Sequence, residues 1–255
     1  RGLAGGTRTI EHGGHWHAAA TCPLPEARPV AYYFHADGTL STTAPTVDEA
    51  STTYNFDPND PVPTIGGNLS AIPIPPGGFD QRNDPRFPFA EGHLPLAARP
   101  DVLSFQTAPL AEDLVVAGPL EVRLWVSTDG PDTDFTAKLL DVYPPGGAYP
   151  AGAAVNLADS IGRLRFRNGF GQEELAEPGQ VCELNFALYP TANRFVAGHR
   201  IRVDISSSNF PRFDVNPNTG GPLGRERRRR VAENTLYHDR ARPSHMVLPV
   251  VQDAQ

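Results

Sequence analysis

Apolar and polar residues alternate with a period of two through most of the second half of the chain. "PLEVRLWVST" puts Leu120, Val122, Leu124 and Val126 on one face, the spacing of a strand with one buried side. "VCELNFALYP" does the same with Cys182, Leu184, Phe186 and Leu188, and "HRIRVDIS" sets Ile201, Val203 and Ile205 against Arg200, Arg202 and Asp204. "GRLRFRNG" sets Leu164 and Phe166 against Arg163, Arg165 and Arg167. "DFTAKLLDVY" is apolar on both faces after Phe135, as expected of a central strand covered on each side. "SHMVLPVV" supplies a last strand. Near the start, "RPVAYYFHADGTLS" alternates Val30, Tyr32 and Phe34 against Ala31, Tyr33 and His35, with Asp37-Gly38 as a turn signal. Turn residues separate these runs, and no segment carries a helical stripe. The pattern predicts two packed antiparallel sheets in an all-β sandwich.

Two stretches depart from it. Residues 1–27 are rich in Gly and His, and residues 42–100 are dominated by Pro, Gly, Asp and Asn, as in "NFDPNDPVPTIGG". A span of that length without regular structure is unusual inside a compact domain, so it is expected to wrap a neighbouring surface. It carries Phe56, Ile65, Ile72, Ile74, Phe79, Phe87 and Phe89. With no sheet or helix face of its own, some of these are expected to pack on the sandwich and some on a further domain. The expected division is residues 1–100 as joining segment and irregular extension, and residues 101–255 as the sandwich.

The 255 residues include 24 Gly and 27 Pro, which suits short strands joined by turns. A formal net charge of −7 argues against a general nucleic-acid binder, which needs a basic surface to displace counterions. Lys138 is the sole lysine, so arginine carries nearly all the positive charge. Cys22 and Cys182 allow one bridge at most and build no disulfide framework. No apolar run approaches the ~18 residues of a membrane span. The chain begins at Arg1 with neither initiator Met nor signal peptide, which reads as a cut from something longer. The compartment stays open, with the cytoplasm favoured.

Three motifs invite chemistry. Ser206, Ser207 and Ser208 follow a strand, yet a nucleophile elbow needs G-x-S-x-G between strand and helix, and that motif is absent from the sequence. Their hydroxyls are expected to satisfy backbone groups where the ladder stops. In "IEHGGHWH", His12, His15 and His17 come close together, and His15 and His17 would share a face of a strand and are weak metal-ligand candidates. Nothing after them supplies a third ligand at suitable spacing, so interface histidines are the preferred reading and neither metal nor cofactor is expected. "RERRRR" at 225–230 reads as a solvated loop or a clamp on an acidic neighbour. Asn68-Leu69-Ser70 fits a glycosylation sequon of low specificity.

"VLSFQTAPLAEDLVVAGPLEVRLWVSTDGPDTDFTAKLLDVYPPGG" and "LNFALYPTANRFVAGHRIRVDISSSNFPRFDVNPNTG" resemble the C-terminal domain of the CocE/NonD hydrolases, related to X-Pro dipeptidyl-peptidases and α-amino acid ester hydrolases. "NTLYHD" and "RPSHMVLPVV" resemble its closing strands, and "GGHWHAAATCPLPEARPVAYYFHADGTLS" is similar to the segment joining it to the hydrolase domain, with Cys22 where the family usually has Trp. The resemblance implies a jelly-roll sandwich, galactose-binding-domain-like, with a long irregular N-terminal extension. It implies upstream α/β-hydrolase and cap domains as partners, in a parent that hydrolyses ester or amide bonds by Ser-His-Asp chemistry. No catalytic residue carries over to this chain. Asp204, Ser206, Ser207, Ser208, Asn209, Arg212 and Asp214 become a structural signature. Without its partners the chain is expected to self-associate, or to recruit the upstream domains when these are supplied separately. A free-standing carbohydrate-binding module and a metalloenzyme built on the His cluster are the alternatives.

Overall fold

The computed structural model describes residues 18–66, 78–82, 95–147 and 149–251. Eleven strands carry nearly all the regular structure of these residues: β1 (Ala27–Phe34), β2 (Leu40–Ser41), β3 (Ser51–Phe56), β4 (Leu103–Gln106), β5 (Leu114–Thr128), β6 (Asp134–Tyr143), β7 (Ala153–Arg163), β8 (Cys182–Phe195), β9 (Arg200–Ser206), β10 (Ala232–Tyr237) and β11 (His245–Val251). They form a β-sandwich. One sheet runs β2-β1-β11-β5-β10-β3, with β8 also paired to β5, and the second runs β4-β9-β6-β7. Every strand ladder is antiparallel.

The long strand β5 organises the larger sheet. Leu120, Val122, Leu124 and Val126 point into the sandwich while Pro119, Glu121 and Arg123 face out. Its register slips against β8 between Gly118 and Leu120. Gly118 sits at φ +141°, and a Cβ there would press on Pro23 and Pro249 at 3.2 Å, so this bulge requires glycine. From the smaller sheet, Phe135, Ala137 and Leu139 of β6 and Ile201, Val203 and Ile205 of β9 meet these residues in one contiguous core. Phe34, Phe56 and Phe195 complete it with no solvent exposure.

Two readings of the sequence need correction. Residues 51–56 lie in the stretch expected to be irregular, yet they form β3 and pair with β10 from Ser51↔Tyr237 to Phe56↔Ala232. Thr52, Tyr54 and Phe56 turn inward while Ser51, Thr53 and Asn55 face solvent, so the alternation is real but devoid of aliphatic residues. "GRLRFRNG" is not a strand beyond Arg163. Leu164–Phe166 is a single 3-10 turn, and Arg165 is buried instead of solvent-facing. Its backbone N–H and its guanidinium both donate to Asp132, at 3.0 and 2.8 Å, so a carboxylate replaces the ladder there. The strand before it, β7, carries Ala, Asn, Asp and Ser where aliphatic residues would announce a strand.

The smaller sheet is covered on its outer face too. Segments 62–66, 78–82 and 95–102 cross it as a strap, with Val62, Ile65, Leu96 and Val102 packed around Phe79. Gly66, at φ +87°, lets the Phe79 ring pass where a Cβ would come within 2.1 Å of the ring. Asp80 bridges Val155 and accepts from the Ala154 amide at 3.0 Å, and the Gln81 amide donates to the Ala154 carbonyl at 2.8 Å.

Beneath the strap lies a row of polar residues in register across all four strands: Ser104 opposite Asp204, Asp204 opposite Lys138, and Lys138 opposite Asp159. Lys138 is buried, and its ammonium donates to Gln81 Oε1 of the strap at 3.1 Å. Asp204 takes a forked pair of bonds from Arg202, at 2.7 and 2.6 Å, and one from the Ser104 hydroxyl at 2.7 Å. Asp159 accepts from Arg212 and from Asn209, each at 2.6 Å. Burial lowers the Lys138 pKa to about 8 despite the two carboxylates beside it.

The unfolded chain holds the Lys138 proton more tightly than the folded one does. Stability attributable to Lys138 therefore rises as pH climbs from 8 toward the ~10.4 of a free lysine. Urea unfolding at pH 7.5 and pH 9 should show the native protein gaining about 1 kcal/mol relative to Lys138→Met over that interval. An identical pH response in both proteins would contradict a buried ammonium.

Candidate functional site

Strand β9 ends at Ser206, and residues 207–220 fold into an ordered turn rather than a helix. This is the place where the serine cluster of the sequence invites a nucleophile. All three hydroxyls are buried and occupied. Ser206 donates to the Ser208 carbonyl at 3.1 Å and therefore accepts from Thr136 of β6, 2.6 Å away. Ser207 lies 2.7 Å from the Tyr54 hydroxyl of β3 and accepts from Asn234 of β10 at 2.8 Å. Ser208 accepts from the Val62 amide of the strap at 2.9 Å. The expected backbone partners are present for Ser206 and Ser208, whereas Ser207 uses its hydroxyl on two side chains of the opposite sheet. Burial pushes the Tyr54 phenol well above its ordinary pKa, so it stays protonated as part of this link.

The next residues tie down the strap and the sheet edge. Asn209 accepts from Thr64 at 2.8 Å and donates to Asp159 of β7. Phe210 closes a two-bond bracket on the strap: its amide donates to the Val62 carbonyl at 2.9 Å, and its carbonyl accepts from the Thr64 amide at 2.6 Å. Arg212 holds Asp159 and lies over the rings of Tyr189 and Phe213, at 5.6 and 5.2 Å. Asp214 is exposed, with its charge felt by Arg163. The signature residues thus join three elements: the smaller sheet out to its β7 edge, the larger sheet and the strap.

A second buried polar cluster was not anticipated from the sequence. Asp132 pairs with Arg165, and Asp134 takes a fork from Arg163 at 2.8 Å on both arms. The Asn216 amide nitrogen bridges the two carboxylates at 2.9 and 2.8 Å. Burial pushes the Asp134 carboxyl up, against the lowering effect of Arg163 and Asn216. Paired carboxylates can serve as general acid and base, but here each is engaged by its own guanidinium and shut from solvent. The visible signal was "DTD" facing two arginines of "RLRFR", and the alternation of that run concealed it.

None of the described histidines is placed to activate the serines. His199 Nδ1 bonds Asp141 at 2.8 Å, and its ring lies 4.2 Å from that of Tyr143, while burial raises the Asp141 pKa. His238 is buried with Nε2 on Thr52 at 2.9 Å, and desolvation lowers its pKa. Among the described residues, no hydroxyl of Ser206 to Ser208 bonds an imidazole, and no group of three or more ligating side chains is arranged for a metal. His12, His15, His17 and the Asn68 sequon lie outside the described residues. Cys22 is exposed and Cys182 buried, both as free thiols. In the arginine run, Arg230 forks onto Asp129 and Arg229 bonds the Pro58 carbonyl, while Arg228 pairs with Glu226. No helix of the described residues is long and apolar enough to cross a membrane.

This geometry agrees with comparisons to known proteins. The chain is 36% identical over 247 residues to the cocaine esterase of Rhodococcus sp. (strain MB1 Bresler), an alignment covering 93% of this chain and 40% of that one. Its fold superposes on an aminopeptidase from a marine sediment Thaumarchaeota archaeon with a TM-score of 0.78 at 29% identity, covering 94% of this chain and 39% of that one. It also superposes on an α-amino acid ester hydrolase with a TM-score of 0.72 at 32% identity, covering 87% and 36%. The chain thus spans about two-fifths of the length of the relatives it matches. Residues 4–247 match the family described as the X-Pro dipeptidyl-peptidase C-terminal non-catalytic domain, and the chain belongs to that family.

Proposed function

We propose that this domain is the packing and pocket-shaping part of a CocE/NonD-type serine hydrolase, and that the reaction itself, cleavage of an ester or amide acyl bond, is performed by α/β-hydrolase and cap domains upstream. The observation that carries this reading is the turn after β9. The hydroxyls of Ser206, Ser207 and Ser208 are buried and bonded into the scaffold, where none can reach a substrate. The relatives support it as well, since the chain aligns with 40% of an esterase and 36% of an ester hydrolase, which leaves most of each for other domains. Interfaces between domains of one chain typically cover ~600–1,500 Å². Of the apolar residues expected to divide between the sandwich and such an interface, Phe56, Ile65 and Phe79 pack on the sandwich and its strap. Ile72, Ile74, Phe87 and Phe89 lie outside the described residues. The alternative of a free-standing carbohydrate-binding module lacks comparable support.

The isolated chain should hydrolyse no p-nitrophenyl ester and take up no fluorophosphonate probe. Stoichiometric labelling at Ser206, Ser207 or Ser208 would overturn the reading. Dialysed protein should hold well under one equivalent of zinc, nickel or iron by elemental analysis. A tightly held equivalent that disappears in His15→Ala or His17→Ala would instead revive a metal centre. Mixed with the polypeptide encoded immediately upstream, the chain should bind it and raise its esterase activity. A chain that stays monomeric in sedimentation and leaves that polypeptide unaffected would favour an independent binding module.

A further inference from the structure

One end of the sandwich carries two loops, the second of which continues beyond the serine turn into residues that the proposed function does not use. Residues 164–181 connect β7 to β8, and residues 207–231 connect β9 to β10. A single buried guanidinium staples them together. Arg165 Nη1 donates to Glu173 Oε2 of the first loop at 2.9 Å, and Nη2 donates to the Gly221 carbonyl of the second at 3.1 Å. Gly220 tightens the junction, since a Cβ there would lie 3.3 Å from Leu175. Arg167 pairs with Glu174 and fixes the base of the first loop. On the second, Arg229 and Arg230 anchor to the body through Pro58 and Asp129.

What these anchored loops present is unusual for this chain. Phe170, at the tip of the first loop, is 91% exposed, and its ring meets Phe166 of the same loop at 5.7 Å between ring centres. Leu175, Leu223 and Val231 are also exposed on the two loops. Residues 225–230 are five arginines and one glutamate in a protein of net charge −7. Arg225 and Arg227 are exposed, and neither guanidinium has a hydrogen-bond or ion-pair partner among the described residues. The buried guanidiniums of Arg165 and Arg167 hold the first loop from within, so binding to it requires little further ordering. Unpaired guanidinium forks match carboxylates in geometry and charge, and an exposed aromatic supplies an anchor. Two free guanidiniums suffice for the carboxylates of a short segment, whereas a nucleic acid needs a broad basic surface that a chain of net charge −7 does not offer.

We propose that this end of the sandwich is a docking surface for an acidic polypeptide segment bearing a large apolar side chain. Carboxylates seat on Arg225 and Arg227, and the apolar group packs against Phe170, Leu175 and Leu223.

Panning a phage-displayed random peptide library on the whole chain tests it. Enriched peptides should combine two or more Asp or Glu with an aromatic or aliphatic residue. A synthetic peptide of that consensus should bind at least about fivefold more weakly to Arg225→Glu/Arg227→Glu and to Phe170→Ser, and more weakly as salt rises. Unchanged melting temperatures would show that both variants remain folded, since none of these side chains anchors the body. Enrichment of peptides without acids, or binding that neither variant alters, would overturn the proposal. Tighter binding of a single-stranded oligonucleotide than of the peptide would also overturn it. Self-association that the double arginine variant abolishes would overturn it in favour of a second copy of the chain.

Discussion

The smaller sheet is charged on the face that an ordinary sandwich would leave to water. Lys138 sits between Asp204 and Asp159 in register across β9, β6 and β7, and the strap closes over it. Removing three charges from solvent is unfavourable unless each finds polar partners. The partners come from different elements: Gln81 from the strap, Arg202 and Ser104 from the sheet, Arg212 and Asn209 from the turn after β9. The row therefore constrains where the strap must lie and what the turn must contain. A strap shifted along the sheet would leave the buried Lys138 ammonium without Gln81 as its acceptor, at a cost of about 1–3 kcal/mol or more.

This constraint explains why a serine-rich turn need not be catalytic. Polar residues collect after β9 because three surfaces converge there, each with groups to satisfy. Ser207 faces the opposite sheet, Ser208 and Phe210 hold strap backbone, and Asn209 serves both strap and β7. A nucleophile must be exposed and paired with a base. These hydroxyls are neither. The same clustering of Ser and Asn that suggests an active site in the sequence is, in the structure, the knot joining the layers.

How much of this was legible depended on what each residue faced. Strands with polar side chains along one face announced themselves: β5 and β9 alternate because Glu121, Arg123 and Arg202 face away from the core while Val122 and Val203 face into it. Strand β3 escaped because Thr and Tyr occupy its inward positions, and β7 because small or polar residues line it. The Arg165 turn escaped for the opposite reason, its alternation mimicking a strand while Asp132 captured the guanidinium. Lys138 was visible as the sole lysine, yet its neighbours in register are Asp159 and Asp204, on strands far along the chain, and period-two reasoning carries no register between distant strands. The residues that carried the family resemblance at the end of β9, Asp204, Ser206, Ser207, Ser208, Asn209 and Arg212, are ones this network holds.

If the turn after β9 holds the strap on the charged row, the amides that join strap to turn should be protected only while Asn209 is present. Native-state hydrogen exchange at the Val62, Thr64 and Phe210 amides, compared between the native chain and Asn209→Ala, measures this directly. Asn209→Ala is expected to accelerate exchange at all three amides by at least about tenfold while the β5 and β8 amides in the larger sheet keep their protection. Equal exchange in both proteins, or a loss of protection spread evenly over both sheets, would contradict it.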